Sequence, residues 1–86
     1  MGPIKVAIAD DHKIFRKGVI LSLRPYTNLK FVLEAENGQE LIDLLATTPD
    51  EEKPEVILMD LRMPQKDGIE TTKFVAKQYP AIHIIA

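Results

Sequence analysis

Runs of mostly apolar residues alternate along the chain with segments whose apolar positions recur at helical spacing. The first run, Ile4-Lys5-Val6-Ala7-Ile8-Ala9, is β-branched and apolar on both faces, as expected of a buried strand in a parallel sheet, and it stops at Asp10-Asp11. Over residues 13–24, Ile14, Phe15, Gly18, Val19 and Ser22 fall on one helical arc, and Lys13, Arg16, Lys17 and Arg24 on the opposite one. This predicts an amphipathic helix, which Pro25 ends. Leu29–Ala35 alternates enough for a second, less buried strand at a sheet edge, and Asn37-Gly38 turns the chain. Residues 39–46 place Leu41, Ile42, Leu44 and Leu45 on one helix face, with Glu40 and Asp43 toward water. A polar loop over 47–54 follows, bracketed by Pro49 and Pro54. Glu55-Val56-Ile57-Leu58-Met59-Asp60 is a second apolar strand closing on an aspartate. After a loop over 61–67 comes a helix over 68–78, with Ile69, Thr72, Val75, Ala76 and Tyr79 on its inner face; Pro80 ends it and 82–86 begin a fourth strand. Strand alternating with helix through short loops predicts right-handed crossovers and a parallel sheet covered on both faces.

Ligands of open parallel sheets bind beyond the carboxyl ends of the strands. Both fully apolar strands end there in acid, Asp10-Asp11 on the first and Asp60 on the third. If those strands are neighbours, about 4.8 Å apart, the carboxylates meet in one shallow cleft. Unpaired, they repel, and such a cluster either raises a pKa or recruits a hard cation; Mg²⁺ suits oxygen ligands of this kind. Asp10 or Asp11 could equally cap the first helix, though that leaves Asp60 without an account.

Composition narrows the chemistry. The chain has 86 residues, 45% of them hydrophobic and 28% charged, which is globular usage in one small domain. Thirteen acids against 11 bases, a net charge of −2, argue against this chain gripping a nucleic-acid backbone. The absence of cysteine excludes disulfides, thiolate metal sites and thiol nucleophiles, and fits a cytoplasmic protein. No apolar stretch approaches the roughly 20 residues of a membrane helix, and the N-terminus has no signal-peptide pattern. His12 and His83 have no ligand spacing, so each is given a structural or solvent role. No glycine-rich dinucleotide or P-loop motif occurs.

Ile8-Ala9-Asp10-Asp11-His12 after one strand resembles the receiver domain of bacterial two-component response regulators. So does Val56-Ile57-Leu58-Met59-Asp60-Leu61-Arg62-Met63-Pro64, followed by Asp67-Gly68-Ile69-Glu70, after another. Asp-Asp alone is a weak signal, whereas Asp-x-x-Met-Pro-x-x-Asp-Gly on the third strand, loop and helix is highly specific. Asp-Asp-His followed by Phe15-Arg16-Lys17-Gly18-Val19 is similar to the NarL/LuxR subgroup, whose members usually carry a helix-turn-helix DNA-binding domain after the receiver. The resemblance implies a flavodoxin-like (CheY-like) α/β sheet of strand order 2-1-3-4. It also implies that residues 1–86 are the N-terminal part of one receiver, ending after the fourth strand, without the fifth strand, the last two helices or the DNA-binding domain.

By position, the resemblance makes Asp60 the phosphoacceptor for a sensor histidine kinase. Mg²⁺ would be held by Asp10, Asp11, Asp60 and the backbone carbonyl of Arg62, with Asp10 acting largely through water, while Met63, Pro64 and Gly68 shape the supporting loop. The chain would be a phosphoacceptor that assists its own phosphorylation, not an enzyme, in a protein regulating transcription. The family's Ser or Thr beyond the fourth strand and Lys on the fifth fall past Ala86, so slow phosphorylation is expected of the 86-residue chain. A homo-oligomer joined through the fourth-strand edge or the sheet face is expected, with no membrane contact and DNA contact only through a further domain. Two alternatives remain: a small Mg²⁺-dependent phosphatase of the haloacid dehalogenase type, and a degenerate receiver-like interaction module. The first wants an aspartate where Arg62 stands; the second sits poorly with the intact acids.

Overall fold

A computed structural model describes residues 2–60 and 68–86. In chain order the elements are β1 (Ile4–Ala9), α1 (Lys13–Leu23), β2 (Leu29–Ala35), α2 (Gly38–Thr47), a 3-10 turn (Asp50–Glu52), β3 (Val56–Met59), α3 (Gly68–Gln78) and β4 (His83–Ile85). The strands form one parallel sheet in the order β2-β1-β3-β4, as the resemblance implies. β1 and β3 are therefore the central strands, which is why their sequences are apolar on both faces while β2 alternates.

Alternation along the strands divides the apolar residues between two layers. Ala7 and Ala9 of β1, Ala35 of β2, and Ile57 and Met59 of β3 face α2 and α3, where Leu41, Leu45 and Val75 complete a closed core. The small alanines let the helices approach the sheet, and Leu41, Leu45, Ile57 and Val75 are the largest apolar side chains that are fully buried. α2 begins with a reciprocal cap: Asn37 Oδ1 accepts the Glu40 N–H at 2.8 Å, and Glu40 Oε1 accepts the Glu36 N–H at 2.9 Å. At the end of α3, the Tyr79 N–H donates to the Val75 carbonyl and the Ile82 N–H to Tyr79, a turn that carries the chain past Pro80 into β4.

The other face of the sheet differs from the sequence expectation. It carries α1, whose only buried side chain is Arg16, whereas Ile14, Phe15, Gly18 and Ser22 are exposed and Val19 is half-buried. The arc read as core looks over a groove of about 470 Å³ lined by Ile8, Phe15, Val19, Leu58 and Ile85. The physical reason is twofold. α2 and α3 both pack on the opposite face, so no helix among the described residues closes the arc from outside, and polar bonds fix the orientation of α1. The predicted face of α3 is also turned: Gly68, Thr71 and Val75 are buried, while Ile69 and Ala76 are exposed.

The β1–β2 register shifts between Val6 and Ala7, pairing Val6 with Phe31 but Ala7 with Leu33. The irregularity places Glu34 opposite Ile8, on the α1 side, within reach of Arg16.

Candidate functional site: an acidic cleft at the strand ends

One backbone bond brings the carboxyl ends of the central strands level, and a second ties the end of β1 to β2. The Asp60 N–H donates to the Ala9 carbonyl at 2.9 Å, and the Asp10 N–H donates to the Ala35 carbonyl at 3.0 Å. β1 and β3 thus run out side by side, and the aspartates that end them enter one cleft. Asp10, Asp11, His12 and Asp60 each offer one ligand atom, all within 4.8 Å of one another. Sequence reasoning placed the three acids together correctly.

Asp10 is buried and stays in the loop, without capping α1. Its Oδ1 accepts the His12 N–H at 2.8 Å, a side chain-to-backbone bond two residues on that turns the chain sharply. His12 takes the N-cap position with no side-chain cap bond, and the Arg16 N–H closes the first turn onto its carbonyl at 2.9 Å. The helix-cap alternative for Asp10 or Asp11 is therefore set aside.

His12 is the residue that sequence reasoning under-read. Its exposed ring lies over the acids, with Nδ1 3.0 Å from Asp11 Oδ1 and 3.4 Å from Asp10 Oδ1. Its place directly after the two acids was a signal, but two histidines without ligand spacing do not by themselves point to a shared cluster.

Asp11 Oδ1 tests whether the cleft suits a cation. The atom is buried and accepts no hydrogen bond of good geometry among the described residues, although His12 Nδ1 approaches it. A carboxylate oxygen turned inward without a donor, beside two further carboxylates, fits a hard divalent cation and fits an anionic ligand badly. Three of the four ligand atoms are hard carboxylate oxygens, with the His12 imidazole as the fourth.

Beside the cleft, Glu34 joins Arg16 and Lys17, with Arg16 Nε 3.0 Å from Oε1 and Lys17 Nζ 3.1 Å from Oε2. Burial pushes the Glu34 carboxyl up, but the hydrogen bonds and charges of Arg16 and Lys17 outweigh it and hold the group below its ordinary 4.5. Gly68 is the buried first residue of α3. Arg62, Met63 and Pro64, which the resemblance assigns to the site and its loop, lie outside the described residues. Among the described residues no helix is long and apolar enough to cross a membrane.

A parallel sheet in this order, with acid at the carboxyl ends of both central strands, places the chain among flavodoxin-like α/β domains with an acidic ligand cleft. The family model described as the response regulator receiver domain matches residues 6–86, and the chain belongs to that family. It is similar to the transcriptional regulatory protein YhcZ of Bacillus subtilis, 38% identical over 82 residues that cover 95% of this chain and 36% of that protein. The isolated REC domain of RcsB from Salmonella enterica serovar Typhimurium, solved with the phosphomimetic BeF3-, superposes with a TM-score of 0.84 at 31% identity, covering 96% of this chain and 59% of that one. A two-component response regulator of the LuxR family from Aurantimonas sp. superposes with a TM-score of 0.83 at 28% identity, covering 96% and 56%. The chain thus spans little more than a third of the curated relative's length. The match favours neither the phosphatase nor the degenerate-module alternative.

Proposed function

We propose that the chain receives a phosphoryl group on Asp60, with Mg²⁺ held by Asp10, Asp11, Asp60 and the carbonyl of Arg62. The observation that carries this is the convergence of the three carboxylates at the ends of β1 and β3. A carboxylate oxygen of Asp60 attacks the phosphorus of a phosphohistidine on a sensor histidine kinase, or of a small acyl phosphate. The bond from phosphorus to the donor breaks, the donor keeps its electron pair, and Asp60 becomes an acyl phosphate. Mg²⁺ supplies positive charge where phosphoryl oxygens meet carboxylates. Asp11 and Asp10 contribute by standing on a rigid strand end, so that charge and geometry are in place before the donor arrives.

In this proposal residues 1–86 form part of one receiver domain and perform the receiving step. Transcription regulation and DNA contact belong to the longer protein, as does its cytoplasmic setting. Incubation with acetyl phosphate and Mg²⁺, followed by intact-mass measurement, should show one added phosphoryl group that is lost in Asp60→Asn. Sustained multiple-turnover release of phosphate would instead support a phosphatase. The proposal includes self-association of the 86-residue chain: among the described residues β4 is an edge strand with Ile85 exposed, and such an edge is a template for a second copy. Sedimentation should show mass rising with concentration; a compact monomer throughout counts against it.

A further inference from the structure

Arg16 sits on the arc that hydropathy assigns to water, yet it is the side chain of α1 that the fold buries. Its guanidinium spans two elements. Nη1 donates to the backbone carbonyl of Asp10 at 2.6 Å, and Nε donates to Glu34 Oε1 on β2 at 3.0 Å. The second oxygen of Glu34 accepts from Lys17 Nζ at 3.1 Å, so the carboxylate is anchored from both sides. We propose that Arg16 is a positioning residue for the acidic cleft: held by Glu34, it fixes the Asp10 carbonyl and thereby the direction in which the Asp11 carboxylate enters the site. This inference rests on the cation-binding reading above and adds to it the residue that sets the ligand geometry.

Three hydrogen bonds hold Asp10. Its N–H is tied to Ala35 and its carboxylate to the His12 N–H, which fix the strand end and the turn. The turn closed by Asp10 Oδ1 and the His12 N–H encloses the peptide between Asp10 and Asp11, and the oxygen of that peptide, the Asp10 carbonyl, is held from outside the turn by Arg16. A change in ψ of Asp10 turns that oxygen and carries Asp11 with it, so the direction of the carbonyl and the place of the Asp11 side chain are set together. The ladder of β1 ends at Ala9, so strand pairing does not restrain it. The Arg16 bond does, and it is buried.

Arginine suits the task because its planar fork reaches a carbonyl and a carboxylate at once in a fixed geometry, whereas lysine is a point charge on a flexible stem. The register shift in the sheet completes the device by bringing Glu34 opposite Ile8, beneath the guanidinium. Groups that orient metal ligands in this way typically account for roughly 10–100-fold in metal affinity.

The test is the Mg²⁺ dissociation constant, measured by calorimetry on the 86-residue chain and on Arg16→Met, Arg16→Lys and Glu34→Gln, at a temperature where circular dichroism shows each to be folded. Leu45→Ala is the control for lost stability alone, because Leu45 lies in the core on the opposite face of the sheet. Arg16→Met should weaken Mg²⁺ binding by about 10-fold or more. Arg16→Lys should recover part of the loss, Glu34→Gln should weaken binding in the same direction, and Leu45→Ala should stay within about twofold. The amide resonances of Asp11 and His12 should shift in Arg16→Met before metal is added. Affinities within twofold of the unsubstituted chain in both Arg16 variants overturn the proposal, as does a loss no larger than that of Leu45→Ala. If Arg16→Met does not fold, Arg16→Lys and Glu34→Gln decide on the same criteria. Absence of Mg²⁺ binding by the unsubstituted chain overturns the cation-binding reading itself, and the role of Arg16 with it.

Discussion

Replacing Asp11 by Asn should have opposite effects on the chain with and without Mg²⁺. Asp11 offers an oxygen within 4.8 Å of those of Asp10 and Asp60. Two unit charges at that distance repel by ~0.9 kcal/mol at the dielectric constant of water, and by more in a partly buried cleft. Asp11 takes part in two such pairs, so Asp11→Asn removes about 1–2 kcal/mol of repulsion. The substitution keeps the shape of the side chain and supplies an amide donor to its acidic neighbours. With chelator present, the variant should therefore be more stable than the unsubstituted chain by an amount of that order.

Added Mg²⁺ should reverse the ranking. A ligand that binds only the folded state stabilises it by about 2.7 kcal/mol at a concentration of 100 times its dissociation constant. The unsubstituted chain should gain on that scale, whereas Asp11→Asn, lacking a charged ligand oxygen at the same place, should gain little. Urea unfolding followed by far-ultraviolet circular dichroism at pH 8, with and without Mg²⁺, reads both effects as shifts in midpoint at constant slope. The reasoning is refuted if Asp11→Asn is the less stable protein in chelator, or if Mg²⁺ stabilises both proteins equally.

Two further outcomes follow from the packing and the charges. Leu45→Ala removes a fully buried side chain from the core cluster and should cost about 2–5 kcal/mol in urea unfolding, a large share of the roughly 4–13 kcal/mol expected for a domain of 86 residues; a loss under about 1 kcal/mol would mean that α2 closes over the gap. Glu34, held below its ordinary 4.5, contributes stability that is fully present above that value and is lost as pH falls through the lower folded pKa. Glu34→Gln should therefore flatten the acid limb of stability below pH 4.5, by less than about 1 kcal/mol because the side chain is 34% exposed; an unchanged acid limb would count against the pairing.

What was legible in the sequence depended on whether its cause was local. Asp10 and Asp60 stood out because apolar strands run directly into them, and that contrast is written in consecutive residues. The element order was legible for a similar reason, since β-branched runs, Pro25 and Pro80 punctuate the chain where it turns, whereas the strand order came from the family resemblance. The phase of α1 was not legible. Arg16 has its partner Glu34 eighteen positions away on another element, and no helical period records a bond across the fold. In α3, an isoleucine outweighs a threonine on any hydropathy scale, yet Thr71 is buried and Ile69 exposed, because α3 turns the face that carries Gly68, Thr71 and Val75 inward. The approach of the His12 ring to the cluster was hidden in the same way, since one of its neighbours in space, Asp60, comes from the end of the adjacent strand β3.

The irregular register of β1 and β2 joins these points. Had the pairing run straight from Val6–Phe31, Ala7 would lie opposite Val32 and Ile8 opposite Leu33. A one-residue slip exchanges the two faces of a strand, so Glu34 would then point into the core under α2 and Leu33 toward α1. The shift between Val6 and Ala7 instead gives Leu33 and Ala35 to the core and Glu34 to the guanidinium. A single extra residue in an edge strand thereby does two things at once: it keeps a charge out of the closed hydrophobic cluster under α2 and α3, and it builds the ion pair that supports the end of β1. The acids of the cleft repel one another, so their placement depends also on features outside the site: the Ala9–Asp60 backbone bond, the core beneath Met59, and the Glu34–Arg16 pair behind Asp10. Electrostatic cost at the strand ends is accordingly offset by packing on one face of the sheet and by a buried guanidinium on the other.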